Sequence, residues 1–229
     1  MKYLILLFVL SIAGIASADE GLEILQKRCV GCHDIKGPAA QSVQELWQRK
    51  GPDLFYAGSK YNSEWLEKWL VTPRRIRPAG YHAIQHIQQG KKRDMIDTTT
   101  LRPHQGLSAS EAEEVTKTLM TLKASAEIMS TAVFKGGNIS ASFGEMVFDK
   151  FNGCVACHEI EPGYGGLSGP EVYTAAKRYQ ADYLVSFISD PQLWNPKTPM
   201  PNKHVAAPNI QKIVQYLQVL AKENWDEKK

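Results

Sequence analysis

The chain has 229 residues, 43% hydrophobic and 22% charged, with 27 lysines and arginines against 24 aspartates and glutamates. A formal charge of +3 is too near balance to build the basic field that nucleic-acid or anionic-membrane binding requires. The length exceeds one minimal small domain and suits two.

The first segment reads as an export leader. Lys2 supplies a basic start, residues 3–15 form an apolar stretch, and Ala16-Ser17-Ala18 is a small-residue cleavage site. The mature chain is then expected to begin at Asp19 with a formal charge of +2. Thirteen apolar residues fall short of the about 20 that span a bilayer. No other segment approaches that length, so an exported protein with no integral membrane span is expected.

Residues 20–31 read as a short helix ending at Cys29-Val30-Gly31-Cys32-His33, and residues 143–155 as one ending at Cys154-Val155-Ala156-Cys157-His158. C-x-x-C-H is the attachment signature of c-type haem: each sulfur bonds a vinyl carbon and the adjacent histidine becomes the proximal iron ligand. The two copies use all four cysteines. A thioredoxin-like dithiol needs no following histidine, and no βαβ pattern surrounds either motif. One four-cysteine zinc site would join pairs 125 residues apart and leave His33 and His158 unexplained. The expected cofactors are two covalently attached haem c groups on Cys29, Cys32, Cys154 and Cys157, with His33 and His158 as iron ligands. Such a protein is expected to move electrons, and covalent haem attachment outside the cytoplasm points to a bacterial periplasm.

Between and after the motifs the pattern is helical. Ser63 is expected to cap a short helix with Trp65, Leu66, Trp69 and Leu70 on one face. Lys68, Arg74, Arg75 and Arg77 form one basic stretch and Lys91, Lys92 and Arg93 another, which together could dock an acidic redox partner. Ser108-Ala109-Ser110-Glu111 is a capping box for a helix to about Leu122, with Ala112, Val115, Leu119 and Leu122 as its core stripe. Residues 124–140, with Lys135-Gly136-Gly137, read as a linker. Ile210, Ile213, Val214, Leu217 and Leu220 give the last helix its apolar stripe. No clear strand alternation is present.

The two halves lie on one another. An offset of 118 pairs Gly51-Pro52-Asp53-Leu54 with Gly169-Pro170-Glu171-Val172, Lys60-Tyr61 with Arg178-Tyr179, Trp65-Leu66 with Tyr183-Leu184, and Pro73 with Pro191. Nearer the end of each half the offset is 98, pairing Val115 and Leu119 with Ile213 and Leu217. This is a duplication whose first copy carries 20 extra residues between positions 82 and 107.

From Cys154-x-x-Cys157-His158 through Gly169-Pro170, the Tyr183-Leu184 helix, Pro191 and Met200-Pro201 to the final helix, the second half resembles a class I cytochrome c domain. The resemblance implies Met200 as sixth iron ligand, the Pro170 carbonyl as the group orienting His158, and Arg178 and Tyr183 beside a haem propionate. Two such domains in tandem resemble dihaem cytochromes of the c4 kind and the dihaem subunits of sulfur-oxidising flavocytochromes. The implied fold is all-α: a leader over 1–18, a first domain over 19–125 with an insertion at about 83–106, a linker over 126–140 and a second domain over 141–229. The first half departs from the His/Met pattern. Opposite Met200 stand His82 by one offset and Arg102, two residues from His104, by the other, with His86 and Met95 inside the insertion. His82 or His104 is the expected sixth ligand there, with Met95 and His86 as alternatives.

The expected function is electron transfer between redox protein partners, such as a dehydrogenase and a terminal oxidase or reductase. The first haem would be His/His and the second His/Met, hence at different potentials. Once the haem ligands are assigned, no catalytic constellation remains, so an enzyme is not expected. Two alternatives stay open. One is a dihaem enzyme with an open first haem, comparable to dihaem peroxidases or thiosulfate dehydrogenases. The other is an electron-wiring subunit of a catalytic complex, docked through Trp47, Trp194 and the basic loops.

Overall fold

A computed structural model of the chain describes residues 16–91, 94–129 and 133–225. The leader expected over 1–18 lies, up to residue 15, outside the described residues, as do Lys92 and Arg93 of the second basic stretch. No helix among the described residues is long and apolar enough to cross a membrane.

The described chain is mostly helical. In order it contains α1 (Ala16–Arg28), α2 (Val43–Gln48), α3 (Ala57–Lys60), α4 (Ser63–Val71), α5 (Ala109–Thr121), α6 (Ala126–Met129), α7 (Ala141–Met146), α8 (Ala175–Arg178), α9 (Ala181–Ser189), α10 (Pro191–Trp194) and α11 (Ala207–Leu220). Two short antiparallel hairpins add strands β1 (Ile87–Gln88) with β2 (Met95–Ile96), and β3 (Glu159–Glu161) with β4 (Tyr164–Gly165). The first hairpin is built from the extra residues of the first half. Neither was visible as alternation, because two or three residues are too few for a period of two to register.

Helix ends follow local chemistry. The Ser108 hydroxyl accepts from Glu111 N–H while the Glu111 carboxylate accepts from Ser108 N–H, the reciprocal box expected for α5. Ser63 instead lies inside α4; the cap residue is Asn62, whose amide is used elsewhere. α7 runs on into a π-helical turn over Val147–Phe151, closed by Gly153 in the left-handed region at φ 62°.

Two cores form. One gathers Leu25, Leu54, Ala57, Leu66, Leu70, Ala112, Val115 and Leu119; the other gathers Val147, Phe148, Ile160, Val172, Tyr183, Ile210, Ile213, Val214 and Leu217. In each, the first helix of the half crosses the last at a glycine. A Cβ on Gly21 of α1 would overlap the Glu114 carbonyl and the Thr118 hydroxyl of α5; one on Gly144 of α7 would lie 2.5 Å from the Tyr216 ring of α11. Thr118 and Tyr216 are themselves a pair at the 98-residue offset. Only a residue without a side chain permits so close a crossing.

The halves meet through equivalent residues. Tyr61 and Tyr179 form an isolated antiparallel bridge. Asn62 N–H donates to the Arg178 carbonyl at 2.8 Å and Gln180 N–H to the Lys60 carbonyl at 2.9 Å. The side-chain amides repeat the exchange: Asn62 donates to the Lys177 and Tyr179 carbonyls, Gln180 to those of Gly58 and Tyr61. Of the segment expected as a linker, Ala124 N–H donates to Ser59 of the first half, while Ile128, Phe134 and Lys135 are bonded to the second. Phe134 N–H donates to Asp182 and Lys135 N–H to Gln211, while Ser186 Oγ bridges Trp194 Nε1 and the Ile128 carbonyl.

Two predictions follow from this packing. Gly21→Ala should cost about 1–3 kcal/mol in urea denaturation, since it must push a backbone carbonyl aside. Gly31→Ala, with no atom within 4 Å of the new carbon, should leave the midpoint unchanged. Around Glu111, hydrogen bonds from Ser108 and the Arg28 guanidinium hold the carboxyl below its usual range. That contribution to stability is present above the unfolded carboxyl pKa of about 4.3 and is lost as pH falls through the lower folded value. Glu111→Gln should therefore flatten the acid limb of a stability–pH profile and leave the neutral side with the Ser108 cap intact.

Candidate metal centres

Each C-x-x-C-H segment is a single tight turn. After α1, Cys29 and Val30 N–H both donate to the Leu25 carbonyl, and Cys32 and His33 N–H both donate to the Cys29 carbonyl at 3.0 Å. In the second half, Cys157 and His158 N–H donate to the Cys154 carbonyl at 3.2 Å. Helical spacing of three puts each pair of thiols on one side of the turn, and the histidine follows directly. None of the four cysteines is in a disulfide. Cys29 and Cys154 are half-buried while Cys32 and Cys157 are exposed. Burial pushes the Cys154 thiol up to about 11, against the opposing pull of Lys203.

The two histidines are held alike. His33 Nδ1 donates to the Pro52 carbonyl at 2.8 Å and His158 Nδ1 to the Pro170 carbonyl at 2.7 Å. The residue before each proline is a glycine on which a Cβ would sit 2.6 Å from the imidazole ring. Gly51 and Gly169 thus leave room for the ring and the following carbonyl fixes its rotation. With the proton on Nδ1, Nε2 presents its lone pair as a ligand would. Burial lowers both imidazole pKa values, against the raising effect of the carbonyl bond, so both rings are neutral near pH 7. Pro52 was not singled out in the sequence, although the 118-residue offset pairs it with Pro170.

Of the histidines considered for the first half, His104 stands beside His33, with ring centroids 6.1 Å apart. Its Nδ1 donates to the Gln105 carbonyl at 2.9 Å and its ring packs on Trp69 at 4.7 Å. Leu107 N–H to the Leu70 carbonyl, and Arg28 to the Gly106 carbonyl, anchor this loop on both sides. His82 is engaged elsewhere: Nε2 bonds the Arg49 carbonyl at 2.8 Å and the ring stacks on Trp47 at 5.0 Å. His86 bonds Thr100 and Met95 is exposed. An open cleft of about 610 Å³, lined by Val30, Cys32, His33, Ile35, Arg49 and Lys50, lies against the first motif. In the second half Met200 is half-buried in the loop between α10 and α11, its carbonyl accepting from Gln192 at 2.9 Å.

Arg178 and Tyr183 are both buried. The Arg178 guanidinium bonds the Glu171 carboxylate, the Thr174 hydroxyl and the Glu171 carbonyl, yet its Nε is buried without a partner. Its counterpart Lys60 is buried with its ammonium 5.0–5.6 Å from the ring centres of Tyr56, Tyr61, Tyr179 and Tyr183. Trp194, considered for a docking surface, is 2% exposed inside the second core, whereas Trp47 is on the surface.

Among the described residues no three His, Cys, Asp or Glu side chains converge as a metal cage. At 6.1 Å between ring centres, His33 and His104 are close enough that both could hold one ion, which would supply redox or Lewis-acid chemistry there. The unpartnered Arg178 Nε fits an anionic acceptor.

Alkylation of the reduced chain should label Cys32 and Cys157 first. Cys154, with about one part in a thousand as thiolate at pH 8, should be at least ten times slower by mass spectrometry. Comparison with protein-family models, with curated proteins and with solved structures finds no match.

Proposed function

We propose that the chain is a tandem c-type cytochrome of the periplasm, carrying two covalent haems and passing electrons between redox protein partners. The observation that carries this reading is the repeated unit of two thiols, one neutral histidine with Nε2 presented, and a Gly-Pro carbonyl behind it. The haem supplies one-electron exchange at its iron. Cys29, Cys32 and His33 hold the first group, and Cys154, Cys157 and His158 the second. His104, whose ring lies beside that of His33, would be the second protein ligand of the first group, and Met200 that of the second. The proline carbonyls hold each imidazole in one tautomer and raise its donor strength. The exposed Arg74 and Arg75 offer a surface to an acidic partner. With His104 as a second ligand the first iron would have no position left for a substrate, which favours a carrier over an enzyme.

The test is export with c-type maturation, followed by low-temperature EPR of the oxidised protein. Two haems that survive denaturation, two low-spin EPR signals and, in the absorbance of the same oxidised sample, the charge-transfer band of methionine ligation are expected. His104→Ala should turn the first signal high-spin and His82→Ala should change neither. A high-spin ferric signal in the unmutated protein would overturn the carrier reading in favour of an open, substrate-binding first site.

A further inference from the structure

The second half carries a cleft of about 230 Å³ that is lined by none of Cys154, Cys157, His158 and Met200. Three elements wall it. Helix α7 contributes Glu145, the β3–β4 hairpin Glu161 and Tyr164, and α11 with the turn after it Tyr216, Leu220 and Glu223. Tyr216 and Leu220, four residues apart, share one face of α11 and are buried. Tyr164 is 48% exposed, and Glu145 and Glu161 are exposed. Among the described residues those two glutamates form no ion pair, and Lys150, close by along the chain, is bound to Asp149 at 2.9 Å. The lining is not shared by the two copies. Counting from the motifs, Lys36 and Ala39 stand opposite Glu161 and Tyr164; by the offset of 98, Thr118 stands opposite Tyr216. The hairpin wall is also fixed to the second motif. Gly166 N–H donates to the Val155 carbonyl at 2.8 Å, and a Cβ on Gly165 would overlap the His158 carbonyl.

We propose that this cleft is the docking point for a basic redox partner, which seats a lysine or arginine side chain between Glu145, Glu161 and the Tyr164 ring. The proposal rests on the electron-carrier reading above for what the partner exchanges, and on the lining alone for its charge. The lining selects the occupant. The alkyl stem of a long cationic side chain is covered by Tyr216 and Leu220. Its charged end meets carboxylates and an aromatic face. A volume of about 230 Å³ admits one such side chain and no helix or strand. Complementary charge speeds the encounter and fixes its orientation. A partner seated there is one hairpin away from His158. The exposed Arg74 and Arg75 suit an acidic partner, so the two halves select partners of opposite charge.

The experiment titrates the matured two-haem protein with a capped oligolysine peptide at low salt, by calorimetry, and maps carbodiimide cross-links by mass spectrometry. Cross-links at Glu145 or Glu161 are expected. Affinity should fall about tenfold in Glu145→Gln/Glu161→Gln, and also in Tyr164→Leu, which keeps every charge. Glu64→Gln/Glu67→Gln removes the same charge from exposed positions on α4 and should leave affinity unchanged. Equal losses in the two double variants would reduce the effect to net charge and overturn the proposal, as would cross-links confined to other carboxylates. Calcium binding without peptide, lost in Glu145→Gln/Glu161→Gln, would make the cleft a cation site instead. Self-association lost in that variant would assign it to a second copy of this chain. The cross-link map is read on the unmutated protein, so it stands whether or not a variant folds. Absence of covalent haem would defeat the cytochrome reading, a result distinct from all of these.

Discussion

The reciprocal backbone exchange at Tyr61 and Tyr179 is the constraint from which the rest of the arrangement hangs. Two amides and two carbonyls from equivalent positions pair across an approximate two-fold relation, and the Asn62 and Gln180 side chains repeat it. Each bond alone is worth about 1 kcal/mol. Their collective effect is orientation, because antiparallel pairing admits only one register once the flanking carbonyls of Gly58 and Lys177 are also claimed. Lys60 and Arg178, the residues just before the bridge in each half, are thereby forced into the interior side by side with the tyrosines.

The duplication is unequal where charge is buried. Glu171 and Arg178 neutralise one another within the second half. The first half keeps the carboxylate, as Asp53, but answers it with Arg49, whose Nε lies 3.4 Å away without hydrogen-bond alignment. Lys60 is thereby released from its inherited partner and stands among aromatic faces, where burial lowers its pKa. A buried pair is close to neutral in stability while intact and costs about 3–5 kcal/mol when one member is removed. In the first half the carboxylate is thus answered from Arg49, and in the second from Arg178.

Much of this was legible in the chain, and the remainder was not for identifiable reasons. The α5 capping box and the stripes of α5 and α11 follow from spacing alone, since they depend on neighbours three and four residues away. The offset of 118 foretold which residues meet at the junction without saying that they meet, because equivalence in a repeat carries no information on contact. Ser63 looked like a cap, yet Asn62 holds the position while its amide serves the other half. The π-helical turn at Val147–Phe151 left no trace in composition. That His104 rather than His82 stands beside His33 depends on the long-range anchors at Leu70 and Arg28, which periodicity does not contain. Trp194 could be read as surface or core until Ser186 was seen to take its indole N–H.

The placement of Tyr56 bears on how the chain comes to be built. Although it precedes the bridge in the first half, its ring is interred in the second core, edge-on to Trp194 at 5.1 Å, with Phe55 beside it. The second half is therefore incomplete by one large aromatic plug until the first has been made. During synthesis from the N-terminus that plug is already waiting when Trp194 emerges. A gene fragment encoding the second half by itself would leave an indole facing water, so the two copies, alike in ancestry, are no longer interchangeable as folding units.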